Sequence, residues 1–366
     1  MTRSRAFPLA LAFASTLGAA CGRNGSGGEN SAEDSATGAA HSGPSLLGGG
    51  PYAYVSSEDG NSVAVIDTRA ESVVASVLPG RRPRGVRVSP DGSTLIVAVS
   101  GSPKAGPGVD ERSLPPADRS RDGIALVDLA RRALKRTLPG GVDPESFDVS
   151  ADGKTVYVSN EDASAVTVLD VVSGTAVATI PVGSEPEGVT LRPDGAVVYV
   201  TSEGTGTVAV IATDTRRVIA TIPVGKRPRS VAFTPDGAKA YVTNEVGGSV
   251  SVVDAKRHKV RKTIALAGEN LNVRPMGSAM SPDGARVYIT TGRGGTLIAI
   301  DTKGDTVIAS VAVGKRPWGV GVTADGKRIY TANGPSHDVT VVNAESFTVI
   351  RHIPAGSMPW GVAISK

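Results

Sequence analysis

Cysteine, histidine and large aromatic rings are all scarce in this 366-residue chain: one cysteine, four histidines and 4% aromatics. A lone cysteine cannot form an internal disulfide, and the lack of Cys-x-x-Cys-His excludes covalent c-type haem. His41, His258, His337 and His352 are scattered, so no histidine-rich site is expected and no metal is assigned. The sequence has no Gly-x-Ser-x-Gly elbow and no phosphate-cradling P-loop. Its N-terminal apolar stretch, 6–18, contains Pro8 and falls short of the roughly 20 residues a membrane span needs. Net charge is +4, with two of the arginines in the first twenty residues, which does not advertise nucleic-acid binding. The run Lys256-Arg257-His258-Lys259 reads as a solvated turn.

Glycine (45) and proline (24) are plentiful instead, and valine recurs throughout. Many short strands joined by tight turns suit that composition, with an aliphatic core. Residues 1–20 read as an export signal: Arg3 and Arg5, then the apolar stretch, then Ala19 and Ala20. Leu17-Gly18-Ala19-Ala20-Cys21 resembles a bacterial lipobox, which makes Cys21 the expected lipidation site. Ordinary cleavage after Ala20 is the alternative. Residues 21–50, rich in Gly, Ser and Ala, are expected to be a lipidated cysteine followed by a flexible linker. The expected location is periplasmic or cell-surface, with the membrane reached only through the anchor.

From residue 51 to 366 the chain repeats. Asp-Gly recurs at Asp91, Asp152, Asp194, Asp236, Asp283 and Asp325, with spacings of 61, 42, 42, 47 and 42. A long insertion at 101–122 and a short one near 268–272 explain the two exceptions. Each period carries four apolar runs, and Asp-Gly turns favour hairpins. Four antiparallel strands repeated radially define a propeller blade. The first unit begins at its second strand (Tyr52-Ala53-Tyr54-Val55), and the chain ends on an unpartnered first strand (Gly361-Val362-Ala363-Ile364). The expected fold is therefore an all-β, seven-bladed β-propeller of four-stranded antiparallel blades, closed by C-terminal strand pairing into the N-terminal blade. A monomer is expected.

Tyr157-Val158-Ser159-Asn160, Tyr199-Val200-Thr201-Ser202 and Tyr241-Val242-Thr243-Asn244 resemble the YVTN-type, WD40-like β-propeller repeat. Segments such as Arg82-Pro83-Arg84-Gly85, Glu185-Pro186-Glu187-Gly188 and Pro359-Trp360-Gly361-Val362 resemble a subgroup of these propellers. That subgroup is associated with PQQ-dependent alcohol catabolism. The resemblance alone implies association with a quinone cofactor; the residues themselves assign no cofactor.

Two loop sets share one face of such a ring. The x-Pro-x set brings Arg82, Arg84, Glu145, Glu187, Arg227, Arg229, Arg274, Arg316, Trp318 and Trp360, and the second set brings Glu161, Glu245 and His337. Arg–carboxylate pairs that merely hold loops together account for most of these charges. The functional alternative is an anion site near the arginines. Trp318 and Trp360 either stack a planar ligand or plug the channel. No catalytic residue is assigned. The leading expectation is a non-catalytic binding or scaffold module for a protein partner or small anionic ligand, accessory to PQQ-dependent alcohol oxidation. The alternative is a lactonase-like hydrolase, because seven-bladed propellers of this kind include lactonases.

Overall fold

The computed structural model describes residues 50–104, 110, 113–266 and 272–365. The expected signal peptide, Cys21 and most of the linker lie outside the described residues, as do 105–109 and 111–112 of the insertion. Seven four-stranded antiparallel sheets form the blades of a propeller. Blade 1 joins the C-terminal strand Pro359–Ile364 to Tyr52–Ser57, Ser62–Asp67 and Ser72–Val77. Blades 2 to 7 follow in chain order, beginning at Val86, Pro144, Pro186, Pro228, Ser278 and Pro317. The seam is the expected one: Tyr54 pairs with Ala363 and Val55 with Val362. Among the described residues no helix is long and apolar enough to cross a membrane.

The core lies between blades. Second and third strands are buried on both faces, and each aliphatic cluster draws residues from two neighbouring blades. Fourth strands are largely exposed on the perimeter, as in Arg217–Pro223. All seven third-to-fourth strand pairings carry a register shift, such as that between Val252 and Val253. An extra residue there adds to the local twist and lets the blade fan outward.

The Tyr-Val-Ser/Thr-Asn tetrad has a separate job for each polar member. Tyrosine reaches the turn between the third and fourth strands of the next blade. Tyr199 Oη lies 2.7 Å from His258 Nδ1, Tyr241 donates to Asp305 at 2.5 Å, and Tyr288 stacks on Phe347. Each partner residue has a positive φ near 52°, so the turn presents its side chain backward to the neighbour. The Ser or Thr hydroxyl accepts the N–H of its own first strand and donates to a carbonyl of the next blade. Ser56 donates to Arg84 O, Ser159 to Glu187 O, Thr201 to Arg229 O, Thr243 to Met276 O and Thr290 to Trp318 O. Asparagine braces the loop beyond: Asn244 accepts from Gly225 N–H at 3.0 Å and donates to Ser251.

Removing residues 360–366 is expected to destabilise the ring globally, by on the order of 5 kcal/mol or more, because Tyr52–Ser57 loses its partner and blade 1 loses its inner strand. Thermal unfolding followed by circular dichroism checks this; unchanged melting would contradict the closure.

Candidate functional site

Six of the seven x-Pro-x loops hold the residue before proline in the left-handed region: Arg82, Asp143, Glu185, Arg227, Arg316 and Met358, with φ between 44° and 55°. Proline normally pushes its predecessor into extended backbone. Here the conformation is held by the second loop of the same blade. Glu58 N–H donates to Met358 O, Glu203 N–H to Glu185 O and Glu245 N–H to Arg227 O, at 2.8 to 3.0 Å. After the proline the register slips by one residue, for instance between Pro228↔Asn244 and Val231↔Val242. The same bulge occurs in blades 1, 3, 4 and 7. A bulge re-aims the side chain it carries.

The two flanks of each proline therefore differ. Residues before it lie on the rim, and those after it converge on the channel. In blade order the inner ring is Arg84, Glu145, Glu187, Arg229, Met276, Trp318 and, from blade 1, Trp360. Half is ionic and half apolar. Glycine follows five of these residues; at Gly188 and Gly277 a side chain would strike the next blade's carbonyl, so the ring draws close there. Glu187, Arg229, Met276, Trp318 and Trp360 line one cavity of ≈ 110 Å³.

Arginines cross between neighbours within the ionic half. Buried Arg84 pairs with Asp143 and Glu145. Arg229 pairs with Glu187 and Glu203, and with Glu245 at 2.8 Å. On the rim Arg82 holds Glu58 at 2.7 Å, and Arg227 holds Glu203 at 2.5 Å. The loop-bracing role weighed from sequence thus describes these four arginines. Arg274 sits half-buried before Pro275, its N–H on Thr291 O at 2.9 Å. Arg316 has no carboxylate within ion-pair distance among the described residues and lies over Trp318, 5.0 Å from the ring centroid. Arg229 lies over the same ring at 5.4 Å, and Trp360 is 5.7 Å from it. His337 is committed locally: it ends the short 3-10 turn Gly334–Ser336, and its Nδ1 accepts from Met358 N–H at 3.1 Å.

The described ends of the insertion clasp the same face. Arg119 reaches Asp162 at 2.5 Å, Lys104 reaches Glu58 at 2.7 Å, and Arg82 donates to Ser102 O at 2.7 Å. One turn of 3-10 helix, Arg119–Arg121, forms near the end of the insertion.

Carboxylates outnumber cations on the acidic arc, and the surplus appears as retained protons. Burial pushes Glu187 up to about 8; Arg229 opposes this, while Glu203 reinforces it by charge and a carboxyl–carboxyl hydrogen bond. Burial likewise raises Glu145 well above the ordinary range, against the pull of Arg84, with Glu187 and Glu161 adding to it. Glu161 rises through burial and the Glu187 charge. Burial alone would raise Glu245 too, but Arg229 and Arg227 outweigh it and hold its carboxyl low. Two buried carboxyls on one guanidinium cannot both ionise cheaply. Glu187 is the one that lines the cavity.

A raised carboxyl binds a proton in the folded state that the unfolded chain releases near pH 4.5. Its contribution to stability is complete below pH 4.5 and is lost as pH rises toward 8. Between pH 6 and pH 9 the wild type is expected to lose on the order of 2 kcal/mol more than Glu187→Gln. Urea denaturation at the two pH values checks this, and equal losses would contradict it.

Sequence reasoning missed three features: the opposite roles of the two proline flanks, Met276 as a ring member, and Arg293. Their only signals were positional. Arg293 follows Gly292, which stands in blade 6 where blades 3, 4 and 5 carry Glu161, Glu203 and Glu245.

Residues 188–349 match the family model described as "Lactonase, 7-bladed beta-propeller". No curated protein matches the chain significantly. Among solved structures, the periplasmic gluconolactonase of Pseudomonas aeruginosa is similar at TM-score 0.69 and 20% identity, over 86% of this chain and 99% of that one. A putative 6-phosphogluconolactonase from Bacteroides uniformis gives 0.68 and 16%, over 86% and 99%. Kuenenia stuttgartiensis hydrazine synthase gives 0.65 and 21%, over 78% and 89%. These structural likenesses establish the fold. The lactonase match corrects the expectation of a non-catalytic binding or scaffold module accessory to alcohol oxidation, and backs the alternative, a lactonase-like hydrolase, instead. What this chain is similar to, over 188–349, is the seven-bladed lactonase.

Proposed function

We propose that the chain is a lactonase-like hydrolase acting in the cavity at the channel mouth, exported and tethered through Cys21. One observation carries the reading: Glu187, a carboxyl that changes charge near pH 8, shares a cavity with an arginine and two tryptophans. The match to the lactonase model supports it independently.

Ester hydrolysis at neutral pH needs a base for water and positive charge where the carbonyl oxygen becomes an oxyanion. Ionised Glu187 takes a proton from water as the water oxygen bonds to the acyl carbon. Arg316, 5.0 Å from the Trp318 ring centroid at the cavity's edge and without a paired carboxylate, meets the negative charge on the carbonyl oxygen. The ring C–O bond then breaks, and the proton on Glu187 passes to the departing alkoxide. The open hydroxy acid ionises to a carboxylate. Trp318 and Trp360 offer a surface on which the C–H face of a sugar ring packs. Glu245 is a poor base here, because Arg229 and Arg227 keep it ionised.

Hydrolysis of glucono-1,5-lactone above the spontaneous rate tests this. Turnover is expected to rise with pH through about 8, since the base must lose its proton first. Glu187→Gln is expected to lower kcat by roughly 100-fold or more. Wild-type protein without turnover on a panel of sugar lactones, or a fully active Glu187→Gln, would overturn the reading.

The anchor has its own test. Cells fed radiolabelled palmitate should label the wild-type protein and leave Cys21→Ser unlabelled. Equal labelling of both would contradict lipidation at Cys21.

A further inference from the structure

Outward from Trp318, between blades 6 and 7, runs a groove of ≈ 630 Å³ that includes Arg293, Lys315, Arg316 and Ser336. Its cations are not neutralised. Among the described residues, none of Arg293, Lys315 and Arg316 has a carboxylate within 4.0 Å. The one carboxylate in the groove, Asp338, is already engaged. It accepts from Asn333 Nδ2 at 2.8 Å and lies 3.4 Å from His352 Nδ1. The Ser336 hydroxyl accepts from Lys315 N–H at 2.7 Å, which leaves its own hydrogen to donate.

This bareness follows from a substitution in the repeat. The rim arginines of blades 2 and 5 are each neutralised by a glutamate from the second loop of the preceding blade: Arg82 by Glu58, Arg227 by Glu203. Arg316 of blade 7 should draw on blade 6 in the same way. Blade 6 supplies Gly292, followed by Arg293. Gly292 takes φ 50°, and a side chain there would meet Arg274 O and Met276 at 2.9 Å, so the glutamate has no room. Glycine takes the place of the neutralising acid, and the residue after it adds a second cation. Burial and the nearby Arg293 and Arg229 charges make Arg316 easier to deprotonate, with Glu245 only partly offsetting them. Two guanidinium groups in one groove, neither of them ion-paired, are arranged for a ligand that brings a negative charge.

We propose that the Arg293–Arg316 groove binds an organic carboxylate, and that in this protein it receives the carboxylate formed when the lactone ring opens. The proposal rests on the hydrolase reading for the source of that anion. A lactone is neutral and its hydrolysis product is not, so the reaction creates charge beside Arg316. Glu187 lines the channel cavity together with Trp318, and the bare arginines line the separate groove. The opened chain is repelled from the first and drawn toward the second. Arg293, Lys315 and Arg316 line the groove and not the cavity, and Arg316 reaches the cavity's edge through Trp318, 5.0 Å from its ring centroid.

Binding of gluconate and of sorbitol, a neutral polyol of equal length, measured by calorimetry without any lactone, tests the groove. Wild type is expected to bind gluconate at least about tenfold tighter than sorbitol, the scale of one charge-assisted contact. Arg293→Gln is expected to remove that preference and Arg293→Lys to restore part of it, with all three proteins melting alike. The preference should also fall with added salt. Wild type that does not prefer gluconate, or Arg293→Gln that keeps the full preference, overturns the proposal. The two readings fail separately. Gluconate binding that depends on Arg293 in a protein without lactone turnover sinks only the hydrolase, and turnover with Arg293-independent binding sinks only the groove.

Discussion

A single hydroxyl, repeated around the ring, ties five of the seven blades to the next. In blades 1, 3, 4, 5 and 6 the Ser or Thr of the second strand donates to the carbonyl of the neighbour's post-proline residue. Each such bond contributes about 1 kcal/mol in net terms, and a buried carbonyl without it costs more. Its position matters beyond stability. The carbonyls it holds belong to Arg84, Glu187, Arg229, Met276 and Trp318, the residues whose side chains face the channel. Fixing the peptide fixes the direction of the side chain, so the bond that closes the ring also aims the site. Blade 2 offers Ala98 at this position and relies on Gly85 N–H to Glu145 O instead. Blade 7 likewise offers Ala332 at this position.

With the ring fixed, its charges cannot relax apart. Arg229 faces Glu187, Glu203 and Glu245 together, and Arg84 faces Asp143 and Glu145. One guanidinium cannot neutralise three buried carboxyls, so the ionic half of the ring keeps protons at neutral pH. Across Trp318 the imbalance has the opposite sign: Gly292 and Arg293 stand where a glutamate would serve Arg316. A site that develops negative charge on its substrate gains from both. It has a base near its working pH, and an uncommitted cation beside the place where the oxyanion forms.

The architecture was legible because its determinants are local and repeated. Asp-Gly turns, the Tyr-Val-Ser/Thr-Asn tetrad and the orphaned strand at Gly361–Ile364 each state a rule that the next period restates. The face carrying the site was legible for the same reason. The sorting of that face was not. Arg227 and Arg229 flank one proline and look equivalent in sequence, yet a left-handed residue and a bulge send them to different places. Neither device leaves a mark in an alternating apolar pattern. Glu187 was equally opaque, since its proton affinity depends on which charges share Arg229, a fact of two blades at once. The function was read too cautiously because paired charges on a loop ring resemble simple bracing, and four arginines are indeed bracing.

The account turns on Glu187 holding its proton well into the alkaline range inside the tryptophan-lined cavity. Carbon-13 NMR of the glutamate side-chain carboxyls, with the resonance assigned by its loss in Glu187→Gln, measures this directly. The account predicts a midpoint near pH 8 that moves down in Glu203→Gln, where the competing charge is removed. A Glu187 resonance titrating near 4.5, as an ordinary glutamate does, would contradict it.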